Sequence, residues 1–248
     1  MVDKNILNKI VNACDICSRD IVLEIGSGGG ELTEFLAKKA KMVYAVEIDN
    51  FLCEVIRERF AQSKNIKVIC ADILKMDLSK KFKFLRRKMV VVGNIPYYIS
   101  TPIIEHLFSS RGRIKTVFLT LQKEFAERVV AACGSKAYGA LSCFIRYYSH
   151  PQLLFRIPAG CFFPVPKVDS AFVRLDMKKS FRLSGEREKM LFTIIRTSFN
   201  QRRKTLRNSL KDVISADKLF LFFEKYRIRK DIRPDALSLQ DFVNLSLM

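Results

Sequence analysis

The segment Gly93-Asn94-Ile95-Pro96-Tyr97-Tyr98 sets an amide, a rigid proline turn and aromatic rings directly after an apolar run. Those residue types suit methylation of an exocyclic adenine amine. That nitrogen is a poor nucleophile, because its lone pair is delocalised into the ring. The Asn94 side-chain oxygen and the backbone carbonyl of Ile95 or Pro96 can accept its two N–H bonds. They would favour the pyramidal form, whose lone pair points outward. Positioning and hydrogen bonding are then the main catalytic terms, and neither a metal nor a histidine base is demanded. Tyr97 can stack on the base, a contact of about 1–3 kcal/mol. Extrusion from a nucleic-acid stack costs a few kcal/mol, so a second aromatic wall is expected. Phe162, in the loop Phe162-Phe163-Pro164-Val165-Pro166, is the candidate. Tyr98 and Phe163 read instead as core aromatics.

A second constellation precedes it. Glu24-Ile25-Gly26-Ser27-Gly28-Gly29-Gly30 closes an apolar run and opens into a helical pattern near Glu31. Glycines at such a turn let the backbone approach a ligand and aim its N–H groups at it. A dinucleotide fingerprint wants Gly-x-Gly-x-x-Gly, and its third glycine is here Glu31. The pattern present, acid-x-Gly-x-Gly-x-Gly, resembles that of S-adenosylmethionine-dependent methyltransferases. That cofactor has no pyrophosphate, and Glu24 offers a carboxylate to its cationic methionine end. Glu47, 17 residues beyond Gly30, can accept both ribose hydroxyls. Asp72 can accept from the adenine amino group, with Ile48 and Ile73 sandwiching the ring. Taken singly, Glu47 also reads as a solvated strand end and Asp72 as a helix cap. An acid or glycines at each of three strand ends is a much rarer coincidence.

The elements that must position these residues follow from periodicity. Ile21–Ile25, Met42–Ile48, Ile66–Cys70, Met89–Val92 and Thr116–Leu121 are short, almost wholly apolar runs that predict buried strands. Between them, 31–41, 50–62, 101–109 and 123–132 predict helices. Strict alternation predicts a parallel, doubly wound, Rossmann-like α/β sheet with its ligand at the carboxyl ends of the strands. Beyond it, an apolar run from Tyr138 to Tyr148 precedes strand-like segments at 153–157 and 170–176. After Lys178 every segment has helical spacing. Residues 178–248 hold 17 basic and 8 acidic residues, against 27 and 17 in the first 177. Charge density about doubles, which predicts a cofactor-binding catalytic domain over 1–177 and a small all-helical RNA-binding domain over 178–248.

The whole chain is 248 residues with a formal charge of +19 and 49% hydrophobic residues. It can therefore bury a core and is not a disordered basic tail. No apolar run approaches the roughly 18–20 residues needed to span a bilayer. Residues 1–10 carry charges where a signal peptide needs an apolar block, so a cytoplasmic or organelle-matrix protein is expected. Seven scattered cysteines read as reduced, mostly buried thiols. Cys14 and Cys17 lack the second pair that a zinc site requires. His106 and His150 stand alone, as helix-face or loop residues.

Several stretches together resemble the KsgA/Erm-type ribosomal RNA adenine dimethyltransferases, in particular the small-subunit KsgA branch. They are Val22 to Gly28, Gly93 to Pro102, Gln122-Lys123-Glu124 through Tyr138-Gly139, Phe162 to Ser170 and Phe199 to Lys204. The resemblance implies a class I methyltransferase fold, S-adenosyl-L-methionine as cofactor and no metal. It also implies transfer of two methyls to each of two adjacent adenines near the 3′ end of small-subunit rRNA, in ribosome biogenesis. The expected partner is rRNA or an immature small subunit, met by a monomer without a membrane. A large-subunit methyltransferase of the antibiotic-resistance type, or a non-catalytic assembly or transcription factor on the same fold, is the alternative. The family carries Gly-Gln-x-Phe-Leu before its first helix, where it helps close the cofactor and target pockets. Met1 to Asn5 stands about where that motif ends.

The basic run Arg202, Arg203, Lys204 and Arg207 is the expected phosphate contact. On one continuous helix, Arg203 and Arg207 share a face beside an apolar stripe of Phe199, Leu206 and Leu210. Residues 81–88, with five basic residues, form a second patch.

Overall fold

The computed structural model describes residues 3–181 and 183–248. The chain forms two compact units, residues 1–126 with 150–177, and residues 127–149 with 178–248. The last chain crossing between them falls at Met177–Lys178, and the second unit also takes in the segment from Glu127 to Ser149.

In the first unit, α1 (Lys4–Ala13) precedes an alternating series: β1 (Ile21–Ile25), α2 (Glu31–Ala37), β2 (Met42–Glu47), α3 (Asn50–Arg59), β3 (Ile66–Cys70), α4 (Leu78–Lys81), β4 (Met89–Asn94), α5 (Ser100–Ser109) and β5 (Ile114–Gln122). Next in the chain come α6 (Lys123–Val130), which runs into the second unit, and α7 (Ala140–Tyr148) of that unit, before β6 (Ser149–Ile157) and β7 (Ser170–Met177) return to the first. The sheet order is β3-β2-β1-β4-β5-β7-β6. β1 to β5 pair in parallel, as the alternation predicts, but β7 runs antiparallel to β5. The sheet is thus mixed. A parallel neighbour needs a helical crossover, and the link 158–169 between β6 and β7 contains only a single 3-10 turn.

β1, β4 and β5 are buried nearly throughout, whereas β3 lies at the sheet edge and is mostly half-buried. Burial on both faces explains why their sequences are continuously apolar rather than alternating. One core layer packs Leu7, Ile10 and Val11 of α1 with Leu36, Val43, Phe118 and Phe172. The helices start where short polar side chains can satisfy their first N–H groups. Asp3 accepts from Asn5 and Ile6, and Asp49 from Phe51 and Leu52. α2 ends four residues before the expected Lys41, because the Lys41 N–H bonds the Asp20 carbonyl and turns the chain into β2.

The second unit contains α7, α8 (Glu186–Asn200), α9 (Leu206–Leu210), α10 (Ala216–Tyr226) and α11 (Leu239–Ser246). Its core stacks Tyr138 edge-on to Phe199, which in turn meets Phe242. Among the described residues no helix is long and apolar enough to cross a membrane.

Candidate active site

The carboxyl ends of β1, β2 and β3 are stitched together by their own backbone. The N–H groups of Gly26 and Ser27 and the Ser27 hydroxyl all donate to the Val46 carbonyl. The Ala71 N–H donates to the Glu47 carbonyl. Gly26 needs to be glycine twice over. Its φ is +73°, and a Cβ there would stand 3.3 Å from the Asn94 carbonyl oxygen. The turn therefore runs close against the end of β4, which brings both sequence constellations to one place. A small cavity is lined by Glu24, Gly26, Ser27, Gly28 and Asn94, with Leu7, Glu31 and Leu32 completing the wall.

Glu24 is fully buried at that cavity and accepts a 2.6 Å hydrogen bond from the Thr33 hydroxyl. Burial pushes its carboxyl up to about 8, outweighing the Thr33 hydrogen bond that acts the other way; the nearby charges of Glu31 and Glu47 raise it further. A buried acid beside an opening is poised to charge when a cation arrives. Glu47 is buried as well, contrary to a solvated strand end. Its Oε2 accepts from the Gly28 N–H at 2.8 Å, and its Oε1 from the N–H groups of Ile48 and Asp49 at 2.9 and 3.2 Å. It clamps the glycine turn to β2, and its oxygens keep lone pairs for further donors.

Asp72 does cap a short helical turn, accepting from the Leu74 N–H at 2.9 Å through one oxygen. Ile73 is buried and Ile48 is 66% exposed, so of this pair Ile48 alone is open to solvent. The Asn94 side chain is half-buried and makes no hydrogen bond to another described residue. Pro96 is exposed, and its carbonyl accepts from the Ile99 N–H at 3.3 Å, leaving one lone pair.

The Tyr97 hydroxyl lies 2.6 Å from Ser170 Oγ. This hydrogen bond joins the Asn-Ile-Pro-Tyr turn to the start of β7, so the two most specific sequence segments touch. Asp169 of the same segment accepts from the Ala159 N–H, and its carbonyl accepts from the Lys123 N–H. The aromatic rings differ from the sequence expectation. Tyr98 and Phe163 are 86% and 80% exposed rather than in the core. Phe162 is buried in the cluster that holds Leu7, Ile10 and Phe172. Adjacent residues of an extended loop point to opposite sides, so Phe162 anchors the loop while Phe163 presents its ring to solvent.

A buried acid, a glycine turn and an unpartnered amide thus meet at one end of the parallel strands. Comparison with known proteins decides the family. The model of ribosomal RNA adenine dimethylases matches residues 1–248. The chain belongs to the ribosomal RNA adenine dimethylase family. It is 40% identical to the ribosomal RNA small subunit methyltransferase A of Lachnoclostridium phytofermentans, over 99% of this chain and 87% of that one. It is 41% identical to its namesake in Alkaliphilus oremlandii, over 85% of this chain and 74% of the relative. Among solved structures, a dimethyladenosine transferase from Plasmodium falciparum superposes with a TM-score of 0.84 at 30% identity, covering 99% of this chain and 95% of that one. The 23S rRNA methyltransferase ErmE superposes at 0.79 with 23% identity, covering 99% and 97%, and shares the fold. The protein is thus an rRNA adenine dimethyltransferase on a class I methyltransferase fold.

For this dimethylase the basic tail is arranged differently from a single helix. α8 ends at Asn200, residues 201–204 form a turn, and Thr205 caps α9 by accepting from the Asn208 N–H. Arg203 and Arg207 therefore flank a helix break and do not share one helical face. Arg202 is tied inward, donating to the Lys136 carbonyl and pairing with Asp235. Arg203, Lys204 and Arg207 are exposed. Sequence reasoning passed over Thr33 and Ser170. Nothing marks either except position: Thr33 follows the glycine turn within α2, and Ser170 ends the proline-rich motif.

Proposed function

We propose that this dimethylase uses S-adenosyl-L-methionine to convert two adjacent adenosines near the 3′ end of small-subunit rRNA to their N6,N6-dimethyl forms, acting on an immature small subunit. The observation that carries the reading is the side chain of Asn94, left without a partner in the cavity that is also lined by Glu24 and the Gly26–Gly28 turn. The names of its relatives support the small-subunit substrate.

The cofactor, when bound, supplies a methyl group on a positively charged sulfur. Glu24 would face its cationic methionine end, Gly26, Ser27 and Gly28 its backbone-facing side, and Glu47 the ribose. Asp72 would take the adenine amine through its second oxygen, beside Ile48 and Ile73. Asn94 Oδ1 and the carbonyl of Ile95 or Pro96 would hold the two hydrogens of the target amine. That would leave the nitrogen lone pair directed at the methyl carbon; the C–N bond would form as the carbon–sulfur bond breaks to leave a neutral thioether, and the displaced N–H proton would pass to solvent. Tyr97, held by Ser170, would stack on the extruded base, with the exposed ring of Phe163 opposite and Phe162 anchoring that loop in the core. Arg203, Lys204 and Arg207 of the helical unit, with Arg202 behind them, would take rRNA phosphates.

Transfer of tritiated methyl to unmethylated small subunits, to naked small-subunit rRNA and to large-subunit rRNA tests the assignment. Incorporation of up to four methyls per small-subunit particle is expected. Incorporation only into large-subunit rRNA, or none, would overturn it. Asn94→Ala should bind cofactor normally and lose most turnover.

A further inference from the structure

One basin of the first unit lies away from the methyl-transfer site. It has a volume of about 560 Å3 and is lined by Arg19, Lys41, Arg86 and Arg87, with Phe84 among them. Arg19, Lys41 and Arg87 stand one or two residues before β1, β2 and β4, which are neighbours in the sheet. The basin therefore sits at the amino ends of these strands, whereas Glu24, Gly26 and Asn94 lie at their carboxyl ends. A strand of five or six residues separates the two edges by roughly 17–20 Å.

All four cations are exposed and none forms an ion pair with a described residue. No carboxylate lines the basin. The nearest acid in sequence, Asp20, is turned onto the Cys17 N–H, and the charges of Lys115 and Arg19 both act on its carboxyl, so Arg19 is partly compensated. Lys41, Arg86 and Arg87 have no such counter-charge; positive charges around one concavity repel each other, and an anion relieves that repulsion. The aromatic ring sharpens the choice of anion. Phe84 is 63% exposed, although a large apolar side chain gains by burial. Its ring centroid lies 6.4 Å from that of the buried Phe82, with the rings tilted by 46°, and Arg113 donates to the neighbouring Leu85 carbonyl at 3.2 Å. An exposed ring among phosphate-binding cations is the arrangement that single-stranded nucleic acid uses, with bases on aromatics and backbone on Lys and Arg.

We propose that this basin is a second RNA-binding site, which holds a single-stranded step of the rRNA substrate with its phosphates on Arg19, Lys41, Arg86 and Arg87 and a base on Phe84. The inference rests on the reading that the substrate is RNA. It adds a contact at the strand ends opposite the reacting adenine, beyond those proposed at the target base and at Arg203, Lys204 and Arg207.

The test uses the full chain and a ten-nucleotide single-stranded RNA carrying one photoreactive uridine. Cross-links should map to the peptide containing Phe84. Phe84→Ala should weaken binding about tenfold. Arg86→Glu with Arg87→Glu should flatten the dependence of log affinity on log salt by more than one unit, since each single-strand phosphate contact adds about 0.7. Normal cofactor binding by the variants shows that they are folded, and Arg86→Ala with Arg87→Ala gives a milder form. Cross-links confined to other peptides, together with unchanged affinity and salt slope in every variant, would overturn the proposal. So would a loss confined to binding of phosphatidylglycerol vesicles. Wild-type cross-linking at Phe84 without any methyl transfer would sink the proposed reaction and leave the basin standing. Methyl transfer with basin variants that bind RNA normally would sink the basin alone.

Discussion

Thr33 Oγ1 donates a 2.6 Å hydrogen bond to Glu24 Oε2, joining the first turns of α2 to the end of β1 inside a buried pocket. With its carboxyl pushed up to about 8 by burial, Glu24 holds a proton in the folded chain that an unfolded glutamate releases near 4.5. Between those values the folded state binds more protons, so stability falls as pH rises. Glu24→Gln should remove that slope. It should match the wild type at pH 4 and be more stable by up to a few kcal/mol at pH 9, measured by urea melts. A cationic ligand should expel the proton, so cofactor affinity in the wild type should rise from pH 6 to 8. Calorimetry in buffers of different ionisation enthalpy should then detect proton release, and Glu24→Gln should abolish it. A pH-independent affinity in the wild type would rule out this role.

Glu47 holds three backbone N–H groups with one carboxylate. An amide in its place offers a single acceptor oxygen and sets an NH2 against an N–H. Glu47→Gln should therefore cost about 1–3 kcal/mol of stability. It should also release Gly28, so the KM for the cofactor should rise at least tenfold while kcat at saturation changes little. A change confined to kcat would place Glu47 with the target base instead.

The parallel half of the sheet was legible because its strands carry nearly continuous apolar runs, and β1, which is buried, and β3, which is half-buried, match the reading residue for residue. Acid and glycine at the ends of those strands then fall on one edge by topology alone. Side-chain direction in irregular segments was not legible. Phe162 and Phe163 differ by one position and not at all in chemistry, yet one is core and the other surface. The break between α8 and α9 was hidden for a similar reason. Arg203 and Arg207 have helical spacing, and only the Thr205 cap shows that the helix restarts there. β7 was expected as a strand, but its direction depends on the short link from β6, which carries no periodic signal.

The Tyr97 hydroxyl and Ser170 Oγ act as one link. Tyr97→Phe keeps the ring for stacking but frees the turn, so turnover should fall several-fold with cofactor affinity intact. Ser170→Ala should do the same, because Ser170 is fully buried and its loss also leaves the tyrosine hydroxyl unpaired. The double variant should be no worse than either single one. Additive losses in kcat would show that the two residues act separately.

Neighbouring arginines in the helical unit should separate by function. Arg202 donates to the Lys136 carbonyl at 3.0 Å and pairs with Asp235 at 3.5 Å, both within that unit. The ion pair is partly exposed and adds little, so the carbonyl contact sets the scale, and Arg202→Ala should cost about 1 kcal/mol of stability. Arg203 and Arg207 are exposed and form no ion pair with a described residue. Their charge reversal should leave the melting midpoint within error. It should weaken rRNA binding and flatten its salt dependence by more than one unit, as counterion release requires. Equal effects of all three substitutions on stability, with the salt slope unmoved, would make the run an ordinary solvated surface.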